Sequence, residues 1–389
     1  MRLAIIRQRY TPYGGAERYV EAALEALLER SIAITLYTRQ WPNTRLQLIE
    51  PVLCNPFYIG RLWRDWSFAR AVCGAVAKKA PELVQSHERL LCCDIYRAGD
   101  GVHRTWLDER LADASAFTRW RIESSFYHGY ILDVERKLFA SPWLRTVICN
   151  SKMVRDDIHE RFGLSLDKLP VIYNAVDSDL FSPQLTQHRA AVRQKLGVSE
   201  TATVFLLVGS GYMRKGVAAA IMALTKLPSD TYLFVVGRDK SARRYRRLAE
   251  KLGVARRVLM LGAQDDPKPF YGAADAFVLP TLYDPCPNAA LEAMACGLPV
   301  VTSTRCGAAE LVTEHDAGLV CPARDVDALA RHMMTLTDAE ARRLLGARAR
   351  EAVLPLTPAS MTLQLVLLYR DLIAAAAAAR DGEEMPAKL

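Results

Sequence analysis

Several features that define specialised classes of protein are missing from this sequence of 389 residues. No uninterrupted run reaches the ~18 apolar residues that a membrane-spanning helix needs, so no such helix is expected. The apolar stretch 3–6 is followed at once by Arg7, and it is too short for the core of a secretory signal. These absences favour a chain that stays in the cytoplasm.

The nine cysteines are scattered, and none forms the Cys-x-x-Cys pair of a zinc ribbon or a redox motif. We therefore expect free, buried thiols in a reducing compartment. No zinc-finger or RNP motif is present, and the basic residues are dispersed apart from a cluster at 243–247, so nucleic acid is not expected as a partner. The net charge of +8 nevertheless favours an anionic ligand such as a phosphate, a nucleotide or an acidic lipid.

The sequence does contain a regular alternation of short apolar runs and helical patterns. The runs 1–7 and 32–38, with helical periodicity over 16–29 between them, predict one βαβ unit. The alternation starts again after about residue 200, and the polar stretch 182–202 is the expected join. The pattern therefore predicts an α/β protein with two doubly wound parallel-sheet domains. Further strands of the first half are expected near 82–86, 145–149 and 170–173.

The segment 103–140 differs from the rest because it is rich in Trp, Phe, Tyr and Arg and has the pattern of amphipathic helices. Two interpretations are open for it. The aromatic residues either form an ordinary helix–helix core or dock on a membrane surface. The tail 357–380 predicts one more helix, which includes six alanines at 374–379.

The loops that follow strands are where a ligand of an open α/β sheet is expected to bind. The first of them contains Gly14 and Gly15, which form either a plain tight turn or a place where an anion approaches the backbone. The loop 209–216 brings Arg214 and Lys215 to the start of a helix, where positive charge opposes the helix dipole. A bound anion would remove that conflict, so we predict phosphate binding at this loop.

The segment 280–300 carries two carboxylates that are eight residues apart. Asp284 lies in a proline-containing loop after a strand, and Glu292 lies about one turn into the next helix, ~6 Å along its axis. Asn288 is the expected N-cap of this helix, and Gly297 is its expected C-terminal stop. Carboxylates accept hydrogen bonds from sugar hydroxyls, while amides at a helix start bind phosphate oxygens, so the arrangement suits recognition of a polyol.

This segment resembles the Glu-x7-Glu motif of the retaining GT-B glycosyltransferases of family four. The resemblance covers nearly the whole chain. Within the family, the loop 209–216 and the segments 235–240 and 39–41 most resemble the lipopolysaccharide core glucosyltransferases that act on heptose. The other matching motifs are Gly14-Gly15, Cys149-Asn150-Ser151, Tyr173-Asn174-Ala175-Val176-Asp177, Lys215-Gly216 and 307–312.

The resemblance implies two Rossmann-like domains that face a cleft. Residues 1–182 would form the acceptor side, 183–356 would bind the nucleotide sugar, and 357–389 would form a helix that crosses back to the first domain. The implied activity is retaining transfer of a hexose from UDP-glucose to a lipopolysaccharide core heptose or a related glycan. No cofactor and no metal are expected, because cations and helix ends would stabilise the leaving diphosphate. The cytoplasmic face of the inner membrane is a further expected partner.

Residue roles follow from the resemblance in the same way. Arg214 and Lys215 would clamp the diphosphate. Glu292 would hold ribose hydroxyls, and Asp284 would meet hydroxyls of the donor sugar. His103 would contact the donor sugar, although a lone histidine can equally be structural. The acceptor-side candidate is Asp100, and the remaining donor-binding candidates are Gly14, Gly15, Ser210, Arg238, Cys286, Pro287, Asn288 and Ala289.

Two positions depart from the family pattern. Asp284 stands where the family usually has Glu, and its shorter reach leaves the identity of the donor sugar open. Ser210 stands where many members have a phosphate-binding Arg, so Arg214 would supply that charge. Three alternatives stay open: a nucleotide-sugar epimerase of the same double fold, a transferase of another bacterial surface glycan, and a non-catalytic membrane-associated scaffold. Conversion of the donor alone into an epimer would favour the first of these.

Overall fold

The structure is a computed structural model and describes residues 2–9, 33–40 and 51–382. Gly14, Gly15 and the helix expected over 16–29 lie outside the described residues, and so does Trp41. The expectations that rest on them stay predictions.

The N-terminal domain contains a parallel sheet of six strands. Across the sheet they run in the order β3-β2-β1-β4-β5-β6, in which β1 pairs in parallel with both of its neighbours. Residues 3–6 of β1 are all buried, because helices cover both faces of a parallel sheet and its strands are apolar throughout. The strands are β1 (Arg2–Ile6), β2 (Ala33–Thr38), β3 (Val52–Leu53), β4 (Leu83–Ser86), β5 (Ile95–Arg97) and β6 (Thr146–Ile148).

Five described helices belong to this domain. The aromatic insert 103–140 is not one helix but three, which are joined by short turns. Ser115 and Ser125 cap the second and third of these helices, because each side chain accepts a hydrogen bond from a backbone N–H in the first turn. The helices are α1 (Gly60–Lys79), α2 (His103–Leu111), α3 (Ala116–Glu123), α4 (Phe126–Phe139) and α5 (Lys152–Phe162).

The C-terminal domain repeats the plan with a second parallel sheet, in the order β12-β11-β10-β7-β8-β9. Its strands are β7 (Thr203–Val208), β8 (Thr231–Val236), β9 (Val258–Gly262), β10 (Ala276–Leu279), β11 (Val300–Ser303) and β12 (Gly318–Cys321). Its helices are α6 (Arg189–Leu196), α7 (Val217–Leu224), α8 (Ala242–Lys251), α9 (Lys268–Ala273), α10 (Asn288–Ala295), α11 (Ala309–Glu314), α12 (Val326–Thr335) and α13 (Ala339–Val353). The alternation predicted from the sequence after residue 200 is confirmed.

One predicted strand of the first half is wrong. Strands at 82–86 and 145–149 are confirmed as β4 and β6, but at 170–173 only a single parallel bridge joins Val171 to Cys149. The preceding Pro170 has no N–H and cannot extend a ladder of hydrogen bonds. The strands β3 and β5 were not predicted, because two or three residues are too few to show a period.

The last helix, α14 (Pro358–Gly382), packs against the first domain. Its buried residues Met361, Leu365 and Tyr369 repeat every four positions, so they lie on one face of the helix. That face contacts buried strand residues such as Leu3 and Leu36 in one apolar cluster. The chain therefore returns to its N-terminal sheet after it completes the second domain.

The expectation that all cysteines are free is wrong for two of them. Cys73 of α1 and Cys92, in the loop after β4, form a disulfide with their Cα atoms 5.7 Å apart. They are 19 residues apart in sequence, so only the packing of α1 against the sheet brings them together. The other seven cysteines are free and buried.

The expectation that no helix is apolar enough to cross a membrane is also wrong by length and composition. Within the described residues, one window of 18 residues in the stretch Ala339–Ala378, which includes α13 and most of α14, passes that test with a mean hydropathy of 1.5. A single such helix is weak evidence for a membrane span, because a core helix of a soluble protein can have the same composition; 39% of this window is buried.

We expect Tyr369→Ala to lower the free energy of unfolding by about 3–5 kcal/mol, because it removes a fully buried ring from the contact between α14 and the first domain. Tyr369→Phe should cost only about 1 kcal/mol, for the lost hydrogen bond from the hydroxyl to Gln85 Oε1 at 2.7 Å. Leu367→Ala is the control, since Leu367 is exposed on the same helix. Denaturant unfolding measures all three, and equal effects of the two alanine variants would contradict the packing.

Candidate active site

A cavity of about 1340 Å³ opens between the two domains. Residues that directly follow strands of both sheets line it, so it lies at the carboxyl ends of the strands, as in other open α/β proteins. All twelve described site residues predicted from the sequence line this one cavity: Asp100, His103, Ser210, Arg214, Lys215, Arg238, Asp284, Cys286, Pro287, Asn288, Ala289 and Glu292. The other two, Gly14 and Gly15, lie outside the described residues.

The loop between β7 and α7 presents the two cations. Gly216 ends it with φ +73°, and a Cβ there would lie 1.9 Å from the carbonyl oxygen of Pro280, so only glycine fits. Gly209 allows an equally close approach, because a Cβ on it would lie 2.7 Å from Cε of Lys215. The Lys215 side chain therefore passes directly over the loop backbone toward the cavity. Ser210 and Arg238 are exposed at its edge.

Asp284 is the centre of the charged groups in this cavity. Its Oδ2 lies 2.6 Å from Nζ of Lys215 and 2.8 Å from a terminal guanidinium nitrogen of Arg214. Burial alone raises the pKa of the Asp284 carboxyl, but Arg214 and Lys215 outweigh it and hold the pKa below its usual value. The sequence predicts that a phosphate binds beside these cations. In this structure the carboxylate of Asp284 lies there. One acid between two cations leaves a net positive charge at this point.

Glu292 lies on α10, eight residues after Asp284, and both carboxylates line the same cavity. It is 5% exposed, and its Oε2 accepts a hydrogen bond of 2.7 Å from the hydroxyl of Tyr271. The predicted N-cap of α10 is wrong: Pro287 occupies that position, and Asn288 is the first helical residue. The Asn288 side chain instead accepts a hydrogen bond of 2.7 Å from the amide of Asn174 in the N-terminal domain.

His103 stands at the start of α2, on the opposite side of the cavity. Its Nε2 is 3.1 Å from Nδ1 of His128, so one ring donates a hydrogen bond and the other accepts it. Burial, and then the charges of Arg89 and His128, lower the pKa of His103 to about 3. His103 is therefore neutral near pH 7 and contributes a hydrogen bond rather than a charge. Asp100, three residues before it in the sequence, is exposed at the cavity.

Tyr283 was not predicted from the sequence as a site residue, although it directly precedes Asp284. Its hydroxyl donates a hydrogen bond of 3.0 Å to Asp157 Oδ2 and accepts one of 2.9 Å from the Val102 N–H, both in the other domain. Gly101 has φ +64°, and a Cβ on it would lie 2.4 Å from this hydroxyl. The loop that contains Asp284 is thus held against the loop that directly precedes His103.

Glu310 makes a second contact between the domains that the sequence did not reveal. It lies on α11 and accepts hydrogen bonds of 2.8 and 3.2 Å from the N–H groups of Lys152 and Met153 at the start of α5. It also accepts one of 2.5 Å from the hydroxyl of Tyr173. A carboxylate at a helix N-terminus is favourable because the free amides and the dipole both attract it.

No set of side chains in the described part of the chain suits a metal ion. Groups of three or more His, Cys, Asp or Glu residues with that geometry are absent there. The Asp-x-Asp sequence at 177–179 forms a turn, in which Asp177 Oδ1 accepts hydrogen bonds from the N–H groups of Asp179 and Leu180.

Two parallel six-stranded sheets with flanking helices, facing each other across a cavity that contains several charged side chains, form the GT-B fold. Family models support each half. The model described as Glycosyltransferase Family 4 matches residues 13–180, and the model described as Glycosyl transferases group 1 matches residues 188–352. By these two models, one for each half and together matching most of the sequence, the chain is a GT-B glycosyltransferase.

Two individual relatives have between a quarter and a third of their aligned residues in common with this chain. The chain is 26% identical to the lipopolysaccharide glucosyltransferase WaaG of Escherichia coli over 325 residues, which are 82% of this chain and 85% of WaaG. It is 33% identical to the lipopolysaccharide core biosynthesis glycosyltransferase LpsE of Rhizobium meliloti over 165 residues, 42% of this chain and 48% of LpsE.

Solved structures show the same fold. The crystal structure of WaaG has a TM-score of 0.80 at 23% identity, and the match covers 93% of this chain and 98% of that one. Anabaena HepE in complex with UDP and glucose has a TM-score of 0.72 at 20% identity, with 95% and 100% covered.

We expect Tyr283→Phe to lower the free energy of unfolding by about 1–3 kcal/mol, because the buried Val102 amide loses its acceptor and the Asp157 carboxylate loses one of its hydrogen bonds. Tyr232→Phe is the control, since Tyr232 belongs to the same domain but is partly exposed and does not line the cavity. Denaturant unfolding followed by fluorescence compares the two. Equal stability of both variants would contradict a bridging role for the Tyr283 hydroxyl.

Proposed function

We propose that this protein is a retaining, metal-independent hexosyltransferase that moves glucose from UDP-glucose to a heptose of the lipopolysaccharide core. The observation that carries the proposal is the meeting of two cations and two carboxylates in one cavity between the domains. The names of the relatives WaaG and LpsE support the acceptor class, and the UDP and glucose bound to HepE support the donor class.

Charge determines how the donor would enter. The leaving UDP diphosphate carries more negative charge than a carboxylate, so it competes with Asp284 for Arg214 and Lys215. An Asp284 carboxylate released from the two cations would accept hydrogen bonds from hydroxyls of the donor sugar. Glu292, already held by Tyr271, would accept hydrogen bonds from the ribose.

Catalysis in this proposal is mainly electrostatic. Breakage of the bond between the sugar C1 and the diphosphate oxygen gathers negative charge on the phosphate, and Arg214 and Lys215 lie where they would stabilise it. The fixed loop backbone keeps Lys215 in place, so little reorganisation accompanies the reaction. Retention would follow a front-face route in which the leaving phosphate accepts the proton of the acceptor hydroxyl, and closure of the cleft would exclude water.

We expect Lys215→Ala and Glu292→Ala each to lower the rate of transfer by about 100-fold or more. Lys215 would stabilise the negative charge that develops on the phosphate, which has an effect of that size. Glu292 would hold the donor in position through charge-assisted hydrogen bonds to the ribose. Lys226→Ala is the control, since Lys226 is exposed and pairs with Asp327 away from the cavity. The measurements are UDP release with a heptose acceptor and thermal shifts with UDP-, GDP- and ADP-sugars. Near-normal transfer in both cavity variants would refute the proposal. Epimerisation of the donor without acceptor would show that the protein is an epimerase instead.

The proposal includes contact with the inner membrane through exposed aromatic residues of the first domain. Phe126 at the start of α4 is 89% exposed, and Trp120 of α3 is 63% exposed. A second set lies at and before α1, where Phe57 is 73% exposed. The Arg61 guanidinium lies 4.6 Å from the ring centre of Tyr127, so α1 and α4 are neighbours and the two sets adjoin. Exposed aromatic rings beside arginines suit the interface of an anionic bilayer.

Trp63, on α1 beside Phe57, is 42% exposed. We expect the double variant Trp63→Ala, Trp120→Ala to bind vesicles containing about a third phosphatidylglycerol at least tenfold more weakly than the natural chain, because apolar area drives interfacial insertion. The matched control is Met334→Ala, Leu344→Ala, which removes two exposed apolar side chains from the other domain. Co-sedimentation measures binding. Equal binding by both double variants, or none by the natural chain at low salt, would refute this surface.

A further inference from the structure

The half of the cavity formed by the first domain is strongly positive. Among the described lining residues it contributes five arginines and only one carboxylate, that of Asp100. The donor diphosphate in the proposed function occupies the opposite half, beside Lys215. The positive charge on this side is therefore not needed for the donor. The five arginines are Arg7, Arg61, Arg89, Arg97 and Arg110.

Three of these arginines are used within the protein. Arg89 pairs with Glu135 at 3.0 Å and also donates to the carbonyl oxygen of Gly101. Arg7 lies 3.5 Å from a carboxylate oxygen of Glu88. Arg97 donates a hydrogen bond of 2.7 Å to the side chain of Asn174. Because these three side chains interact with other residues of the protein, we treat them as structural groups of the cavity.

Arg61 and Arg110 are different. Each lies against an aromatic ring: Arg61 is 4.6 Å from the ring centre of Tyr127, and Arg110 is 5.7 Å from that of Trp106. Within residues 2–9, 33–40 and 51–382, neither has a carboxylate partner within 4 Å. A cation–π contact of this kind attracts the charge to the face of the ring and uses none of the N–H donors in a hydrogen bond to a carboxylate.

The surroundings of the two arginines are also cationic. Partial burial lowers the pKa of Arg110, and the nearby charges of Arg121 and Arg61 lower it further. Burial, and then the charges of Arg110 and Arg61, lower the pKa of His128, so both guanidinium groups are near this imidazole ring. His128 in turn contacts His103, beside which the donor sugar would lie. An anion bound here would neutralise repelling cations close to the point of transfer.

We propose that Arg61 and Arg110 form an anion-binding subsite that holds a phosphate or carboxylate group on the glycan acceptor. This inference rests on the proposed function and adds that the acceptor carries a negatively charged group. Guanidinium groups bind phosphate and carboxylate through paired N–H donors, which fixes orientation as well as affinity. Both side chains line the cavity, whereas the exposed rings of Phe57, Trp120 and Phe126 do not. The subsite therefore suits a group on the acceptor better than a lipid headgroup.

The test compares two acceptors that differ only in charge: a heptose disaccharide, and the same disaccharide with one phosphate monoester. We expect the natural chain to prefer the phosphorylated form at least tenfold in kcat/KM, a size typical of charge-assisted hydrogen bonds. Arg61→Gln and Arg110→Gln should bring that preference close to one. The controls are Arg70→Gln on the same helix as Arg61, and Arg119→Gln, whose side chain pairs with Glu123; neither residue lines the cavity.

A second measurement keeps the inference testable without catalysis. Binding of the phosphorylated disaccharide is followed by quenching of tryptophan fluorescence in the absence of donor, since Trp106 lines the subsite. Weaker binding in both cavity variants, with the controls unchanged, supports the subsite even if no transfer is seen, and in that case only the proposed function fails. Equal use and equal binding of the two acceptors would overturn the subsite, as would variants that lose vesicle binding but keep the preference for phosphate.

Discussion

The buried contact of Asp284 with Arg214 and Lys215 is the interaction around which the cavity is organised. Two cations at the start of a helix would repel each other and oppose the helix dipole. One carboxylate 2.6–2.8 Å from both removes most of that cost and holds their side chains in fixed positions. The same contact leaves the cluster short of one negative charge. The resting structure is thus stable without a ligand and still attracts an anion.

The relation of the two domains depends on a few polar contacts that cross between them. Tyr283 joins the acidic loop to the loop of His103, and Glu310 holds the start of α5. The helix α14 adds an apolar contact by returning to the first sheet. Because these groups are buried or hydrogen-bonded, they fix which residues of one domain face which residues of the other. These contacts between the domains therefore determine the shape of the cavity.

Much of the fold could be predicted from the sequence, because helices and strands of normal length leave a period in the apolar residues. The strands of the second domain are examples. The apolar pattern did not reveal elements that are very short, such as β3. It also predicted a strand at 170–173, where Pro170 prevents a full ladder of hydrogen bonds. The disulfide between Cys73 and Cys92 had no signal in their spacing, since packing alone brings the two residues together.

The sequence by itself determined the class of fold, the loops that carry the charged groups and the spacing of Asp284 and Glu292, because these properties depend on neighbours along the chain. Only the tertiary structure decided that Asp284 pairs with the two cations, that Tyr283 reaches across to Val102, and that Arg61 and Arg110 lie near one histidine. These residues are far apart in sequence. Their interactions depend on distance and burial, which exist only once the two sheets face each other.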